Sequence, residues 1–327
     1  MQYDAYKNNL TNLFRPVFFV IILLGLIMLV VTGFFPDIWK IALNTVGSSL
    51  LTIGITIPVA LYFQNKSSAE SFKILNTCNK VGIDSIFSSR KLDSRDLRAA
   101  IDAAVRNTTS MRMLGIAFKS FFDPSSESTD VTRQKINSPS TGIRVLLLNP
   151  DSDAATRRTL SEKGNALKSD IGQSIDNSLV AVIQERIKRY LRHEPKLKER
   201  ITGEIRDNNK GLSDELTEEI KTAINLEVRI YDTEPSVFIM CFDNTLFTEQ
   251  YHRGRPEEIV PLGSCIGKYM PVIQYRVRSI GYRFLECHFD AIWNQKETGD
   301  ITSKLVNAAI ERFGPEWLVN SDLKSNI

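Results

Sequence analysis

The sequence predicts an α/β domain that follows a hairpin of two membrane-length helices, and three observations carry that reading. Residues 17 to 35, VFFVIILLGLIMLVVTGFF, hold no charge, and a second uncharged stretch, IALNTVGSSLLTIGITIPVALYF, covers 41 to 63. Beyond them, short apolar runs alternate with amphipathic helical segments, the order that layered α/β folds require. Late in that series, SVFIMCFDNTLFTEQYHRGRP (236 to 256) reads as two strands joined by a tight turn at Asp243-Asn244.

The hairpin occupies residues 1 to 66. At about 1.5 Å of rise per residue, each uncharged run crosses a hydrocarbon core of about 30 Å. A signal peptide has a shorter apolar core and a small-residue cleavage site, and here a second span follows the first at once. Lysine and arginine gather on the cytoplasmic side of spans. Lys7 and Arg15 precede the first run, Lys66, Lys73 and Lys80 follow the second, and the connection PDIW carries an aspartate with Lys40 at its edge. Both termini are therefore expected in the cytoplasm, in a multi-pass protein whose bulk lies in the cytosol. In that reducing compartment Cys78, Cys241, Cys265 and Cys287, which lack any C-x-x-C spacing, read as core thiols.

The second span is not uniformly apolar. Asn44, Ser48, Thr52 and Thr56 recur every four residues and share one helical stripe, which Thr45 and Ser49 widen. Gly47 and Gly54 permit close helix approach, and Ile41, Leu50, Leu51, Ile55, Ala60 and Leu61 make the other side apolar. Two readings stand. Small and hydroxyl residues favour tight helix packing in membranes, and several copies around an axis would instead turn the stripe toward a weakly selective pore.

Residues 67 to 110 read as a helical connector, with a helix leaving the membrane, a break at Gly82, and a second helix in DSRDLRAAIDAAVRNTTS that sets Leu97, Ile101 and Val105 on one side. The α/β domain follows over 111 to 296. Its strands are expected in MRMLGIAF (111 to 118), STGIRVLLLNP (140 to 150), LEVRIYD (226 to 232), the two arms of the hairpin, and PVIQYRV (271 to 277). DPSSESTDVTRQKINSPS (123 to 140) reads as a loop, and 151 to 224 as a long helical region broken near Pro195 and Gly211. YRFLECHFDAIWNQ places Tyr282, Leu285, Phe289 and Trp293 on one helical face, before a C-terminal helix and tail over 297 to 327. The net charge of +3 excludes little. RIKRYLRHEPKLKER (186 to 200) is locally basic, as a solvated helix face or as a surface for anionic lipid or a nucleic-acid backbone.

VGIDSIFSSR, MRMLGIAFKSF, GIRVLLLNPDSDAATRR, the third strand with its hairpin, and the closing YRFLECHFDAIW together resemble, in their order, the phospholipase D-like fold over about residues 80 to 296. The family hairpin carries H-x-K-x4-D. Asp243 takes the aspartate position, while Ser236 stands in place of the nucleophilic histidine and Phe238 in place of the phosphate-binding lysine. The resemblance thus implies a degenerate member. Without the histidine no phosphohistidine forms, and phenylalanine cannot neutralise a phosphate. His193 in the basic helix, His252 beyond the hairpin and His288 on the terminal helix do not restore the pattern. No catalytic residue, metal or cofactor is expected. A cleft sized for a phosphodiester remains, with Lys119, Arg157, Arg158, Arg253 and Arg255 as candidate liners.

The whole arrangement is similar to transmembrane effectors of bacterial antiphage nucleotide signalling, among them the DNA-oligomer-gated channels of the Hailong system. That similarity implies a homo-oligomeric channel of the bacterial inner membrane, tetramer favoured. It also implies a nucleotide or single-stranded DNA oligomer as ligand and a nucleotidyltransferase partner that makes it. The rival readings are a membrane-anchored phosphodiesterase, nuclease or phospholipase with non-standard catalytic residues, and a passive membrane scaffold. The missing H-x-K pair speaks against the first, and the polar stripe against the second.

Overall fold

The computed structural model describes residues 2–34, 36–122, 129–161, 171–207, 212–251 and 266–313. The chain divides into two units, Met1–Thr77 and Cys78–Ile327. In the first, α1 (Gln2–Val31) and a short 3-10 turn (Thr32–Phe34) lead to α2, which runs Asp37–Val81 and so continues past the unit boundary. Pro16–Phe34 and Trp39–Ile57 are long and apolar enough to cross a membrane, with mean hydropathies of 3.0 and 1.3. The hydroxyl stripe accounts for the lower second value.

Glycine sets the contact between α1 and α2. A Cβ added to Gly25 would lie 3.0 Å from the carbonyl oxygen of Gly47, and one on Gly47 would lie 3.1 Å from that of Gly25. Missing side chains are what let two membrane helices close to backbone distance. The surroundings of Gly54 lie outside the described side chains. Asn44, Ser48, Thr52 and Thr56 are all exposed, so the stripe does not serve the α1–α2 contact. The hydroxyls of Thr45, Ser48 and Thr52 donate to the carbonyls of Ile41, Thr45 and Ser48 at 2.8, 3.0 and 2.9 Å.

The second unit is a mixed α/β domain around one sheet. Its strands are β1 (Ile83–Phe87), β2 (Ser110–Gly115), β3 (Gly142–Leu148), β4 (Leu226–Tyr231), β5 (Val237–Phe242), β6 (Thr245–Gln250), β7 (Val272–Arg276) and β8 (Gly299–Asp300). They stand in the order β1-β7-β6-β5-β2-β3-β4-β8. β2, β3 and β4 are parallel and every other pair is antiparallel. Parallel neighbours need long crossovers, and the helical segments supply them. Between β2 and β3 lie α4 (Lys119–Phe122) and α5 (Asp130–Ile136). Between β3 and β4 come α6 (Asp153–Ser161), a π-helical turn (Ser174–Leu179), α7 (Val180–Leu191), α8 (Pro195–Asp207) and α9 (Asp214–Ile224). α3 (Ser94–Arg106) precedes β2, and α10 (Ile280–Trp293) and α11 (Thr302–Phe313) follow β7 and β8. Val145, Leu146, Leu147 and Leu148 are each 0% exposed, as the unbroken apolar run of a central parallel strand requires.

Several expectations change. The stretch read as a helical connector contains β1, which pairs antiparallel with β7 at the edge of the sheet. Gly82, at φ 85°, turns the chain from α2 into that strand, and a Cβ there would fall 2.0 Å from Cβ of Ser279. Residues 130 to 136, read as loop, form α5, whose start is capped by the Thr129 hydroxyl accepting from the Thr132 N–H at 3.3 Å. Of the thiols, Cys241 is buried, Cys78 is half-buried and Cys287 is exposed, so the core reading fails for Cys287. Cys265 lies outside the described residues.

The basic segment also divides. Arg189 pairs with Glu185 at 3.1 Å and Arg200 with Glu219 at 2.7 Å on the surface. Arg186 is buried. Its Nε donates to the Ile136 carbonyl at 2.6 Å, and its Nη1 reaches the carbonyls of Thr141, Ile224 and Asn225 at 3.0, 2.6 and 3.1 Å. These oxygens belong to the end of α5, the entry to β3, and the turn from α9 into β4, where Asn225 is left-handed (φ 50°). Burial, with Arg189 nearby, pushes the Arg186 pKa down to about 9, which leaves it charged at neutral pH.

Each buried carbonyl stripped of its donor costs about 1–3 kcal/mol. Arg186→Met should therefore lower the unfolding free energy by several such increments, about 3 kcal/mol or more. Arg186→Lys should recover only part, because an ammonium lacks the planar fork. Thermal melting of the detergent-solubilised chain reads this, and an unchanged midpoint for the Met variant would refute the role.

Candidate functional site at the carboxyl ends of the parallel strands

Ligands of open α/β sheets gather outside the carboxyl ends of the parallel strands. Here β2, β3 and β4 end at that edge, β5 begins there and β6 ends there. Phe238 on β5 and Glu249 on β6 are register partners, so they share a face of the sheet. Gly115 closes β2 beside them. A Cβ on it would lie 2.9 Å from the Phe118 ring and 3.2 Å from that of Phe238, and those two rings pack with centroids 5.3 Å apart.

Arg90, just beyond β1, reaches into this edge. Its Nε lies 3.0 Å from Glu249 Oε2, its Nη2 donates to Oε1 at 3.2 Å, and its Nε also approaches the Gly267 carbonyl at 3.3 Å. The guanidinium sits 5.3 Å from the Phe238 ring centroid. Gly267 has no room for a side chain, since a Cβ would fall 2.5 Å from Glu249 Oε1 and 2.6 Å from Arg90 Nη2. From α6, Arg158 is buried with its guanidinium 5.5 Å from the centre of the Tyr251 ring. The Tyr251 hydroxyl accepts from the Ile116 N–H at 3.2 Å, and the buried Tyr231 hydroxyl donates to the Gly115 carbonyl at 3.1 Å.

The electrostatics are those of a carboxylate taken out of water. The Glu249 side chain is 0% exposed and that of Arg90 31%. Burial pushes the Glu249 carboxyl up to about 7, while Arg90, and more weakly Arg158, pull it back toward the ordinary range. Desolvation outweighs the ion pair here, as it can for buried pairs.

Of the five cations expected to line a cleft, Arg158 is at this site. Arg157, one position earlier, is exposed. The side chain of Lys119 and all of His252, Arg253 and Arg255 lie outside the described residues. Sequence reasoning missed Arg90, Glu249 and Tyr251. Glu249 did carry a signal, as an acidic residue in the otherwise uncharged strand TLFTEQ, because a charge facing a core requires a partner.

Asp243 does not join the site. It sits past the far end of β5, about 17 Å from Phe238 at the rise of a strand. Its Oδ2 accepts from the Thr109 N–H and hydroxyl at 2.6 and 2.8 Å, and its own N–H donates to the Thr108 hydroxyl at 3.2 Å. That fastens the hairpin tip to the turn between α3 and β2. Ser236 is exposed, and its carbonyl accepts from the Tyr251 N–H at 2.9 Å. These three positions hold no nucleophile beside a base. The edge instead gathers two guanidinium groups around one buried carboxylate, an arrangement suited to binding an anion.

An open groove of about 590 Å³ lies at the opposite ends of the same strands, lined by Arg112, Arg144, Lys221, Asn225 and Glu227 among others. Its cations are already engaged: Arg112 by Glu286 and Asp290, Arg144 by Glu227 at 3.6 Å, and Lys221 by Asp300 at 2.8 Å. Compared with protein-family models and with curated proteins, the chain matches none.

Two outcomes follow from this geometry. Purified protein should not hydrolyse DNA or phospholipid, and Asp243→Ala should cost about 1–2 kcal/mol of stability through its lost hydrogen bonds. Turnover above background that is lost in the Asp243 variant would contradict this. As pH rises from 4.5 toward 7, the unfolded Glu249 releases its proton while the folded one keeps it, so this group's contribution to stability falls across that window. Melts of Glu249→Gln against the unaltered protein should shift in the variant's favour from pH 4.5 to 7.

Proposed function

We propose that the protein is a membrane-embedded, homo-oligomeric channel gated by a phosphate-bearing nucleotide or short oligonucleotide. The ligand binds the carboxyl edge of the sheet in a phospholipase D-like domain that does no catalysis. The observation that carries this reading is the side of α2 left open. Gly47 takes up the contact with α1, while Asn44, Ser48, Thr52 and Thr56 remain exposed. Ser48 and Thr52 place their hydroxyl hydrogens on carbonyls of their own helix, but a side-chain amide such as that of Asn44 in a span needs water or another polar partner. Several copies around an axis supply both.

The second support is the edge itself. Arg90, Arg158 and Glu249 form a charged cluster at the place where open α/β sheets receive ligands, and the histidine and lysine of the family motif are replaced. Gating is then linkage, because a ligand that binds closed and open assemblies unequally must shift their populations. Both termini lie in the cytoplasm in this reading, and the ligand-binding domain faces the source of the signal. The similarity to antiphage effectors extends it: a nucleotidyltransferase makes the ligand, and opening the pore breaches the inner membrane of the infected cell.

Replacing Ser48 and Thr52 together by leucine should abolish or sharply reduce single-channel conductance in planar bilayers while particle size is kept. Unchanged conductance removes the stripe from the pore, and loss of the oligomer assigns it to helix contacts instead. Binding of a labelled single-stranded DNA oligomer should weaken with salt, log K falling by about 0.7 per phosphate neutralised for each unit of log salt. Arg157→Gln should flatten that slope if Arg157 meets the backbone. Salt-independent binding would point to a different ligand chemistry.

A further inference from the structure

Arg90 holds Glu249 by one hydrogen bond and one close charge contact. Its Nη2 donates to Oε1 at 3.2 Å, while its Nε stands 3.0 Å from Oε2 and donates to the Gly267 carbonyl at 3.3 Å, and phosphodiester oxygens suit the same guanidinium donors. The two partners differ in access. Glu249 is sealed, with Gly267 pressed against it so closely that a methyl group would not fit, whereas the Arg90 side chain is 31% exposed. An anion from solvent therefore reaches Arg90 without passing Glu249. Beside it, Lys91 lies over the Tyr269 ring at 4.9 Å and donates to its hydroxyl at 3.1 Å, which adds a second cation at the same mouth.

We infer that Arg90 is the primary phosphate contact of this site, that Glu249 holds it when no ligand is bound, and that phosphate binding places a proton from solvent on Glu249. Two anions on one guanidinium repel each other. The sealed carboxylate cannot turn to water for relief, so it takes up a proton, which turns an acceptor into a donor and removes its charge. The charged groups that bear on it are Arg90 beyond β1 and Arg158 on α6, and the backbone of the turn Ile266–Tyr269 packs against it. Burial already holds the Glu249 carboxyl near 7 with Arg90 in place, and drawing Arg90 away raises it further.

The inference rests on the reading of this edge as a phosphate sensor, and the test separates the two. The full-length detergent-solubilised protein is titrated calorimetrically with a single-stranded DNA hexamer and, separately, with inorganic pyrophosphate, in buffers of different ionisation enthalpy. Close to one proton should be taken up per site at pH 8 and almost none at pH 6, with affinity falling about tenfold between them. Glu249→Gln should bind about tenfold tighter than the unaltered protein at pH 8 and show a flat profile. Arg90→Gln should lose at least about tenfold in affinity at pH 6. The proton count on the unaltered protein decides the matter even if the glutamine variant fails to fold. DNA binding without proton uptake overturns the exchange and leaves the sensor reading intact. Proton-coupled pyrophosphate binding with no affinity for DNA overturns the oligonucleotide reading and keeps the Arg90–Glu249 site. Absence of binding by either probe overturns both.

Discussion

Four carbonyl oxygens converge on the buried guanidinium of Arg186. They come from the places where the two long crossovers deliver the chain back to the sheet, before β3 and before β4. Ile143, second in β3, and Leu226, first in β4, are register partners. One side chain thus fixes where two parallel strands begin, and so where they end. Arginine alone offers five donors in one rigid plane, which is why a cation is tolerated in a pocket of carbonyl dipoles. The candidate site at the far ends of those strands depends on that anchoring.

The two ends of the parallel strands solve the burial of charge differently. At the amino ends the charge is met by backbone dipoles fixed in the fold, so nothing can displace them without unfolding two crossovers. At the carboxyl ends the buried charge of Glu249 is met by a side chain from outside the parallel core, half open to solvent. The first arrangement can only hold. The second leaves its counter-charge, the Arg90 side chain, 31% exposed.

What was legible in the sequence is what local period carries. The unbroken run in β3, the hairpin turning at Asp243-Asn244 and the apolar face of α10 all appear where spacing put them, and Pro195 opens α8 where a helix tolerates proline. β1 was hidden because IDSIF carries two polar residues in five and becomes a strand only through β7, far along the chain. α5 is seven residues long, too short to show a helical period. Arg186 looked like one more member of a basic face, since nothing local distinguishes a cation that points inward. Arg90 and Glu249 stand 159 residues apart, and no spacing rule connects them. Of the expected liners with described side chains, Arg158 shares their edge and Arg157 is exposed, for the same reason: the site is assembled by sheet order, which composition does not encode.

The hydroxyls along α2 have one further property. Each of Thr45, Ser48 and Thr52 gives its hydrogen to a carbonyl of the preceding turn of its own helix. A hydroxyl whose hydrogen points inward along the helix shows its lone pairs outward. Along Thr45, Ser48 and Thr52 the helix therefore presents oxygen lone pairs with no formal charge among them. Water meeting these three side chains would be oriented hydrogens-first, and a cation would meet oxygen there where an anion would meet the same sign as its own.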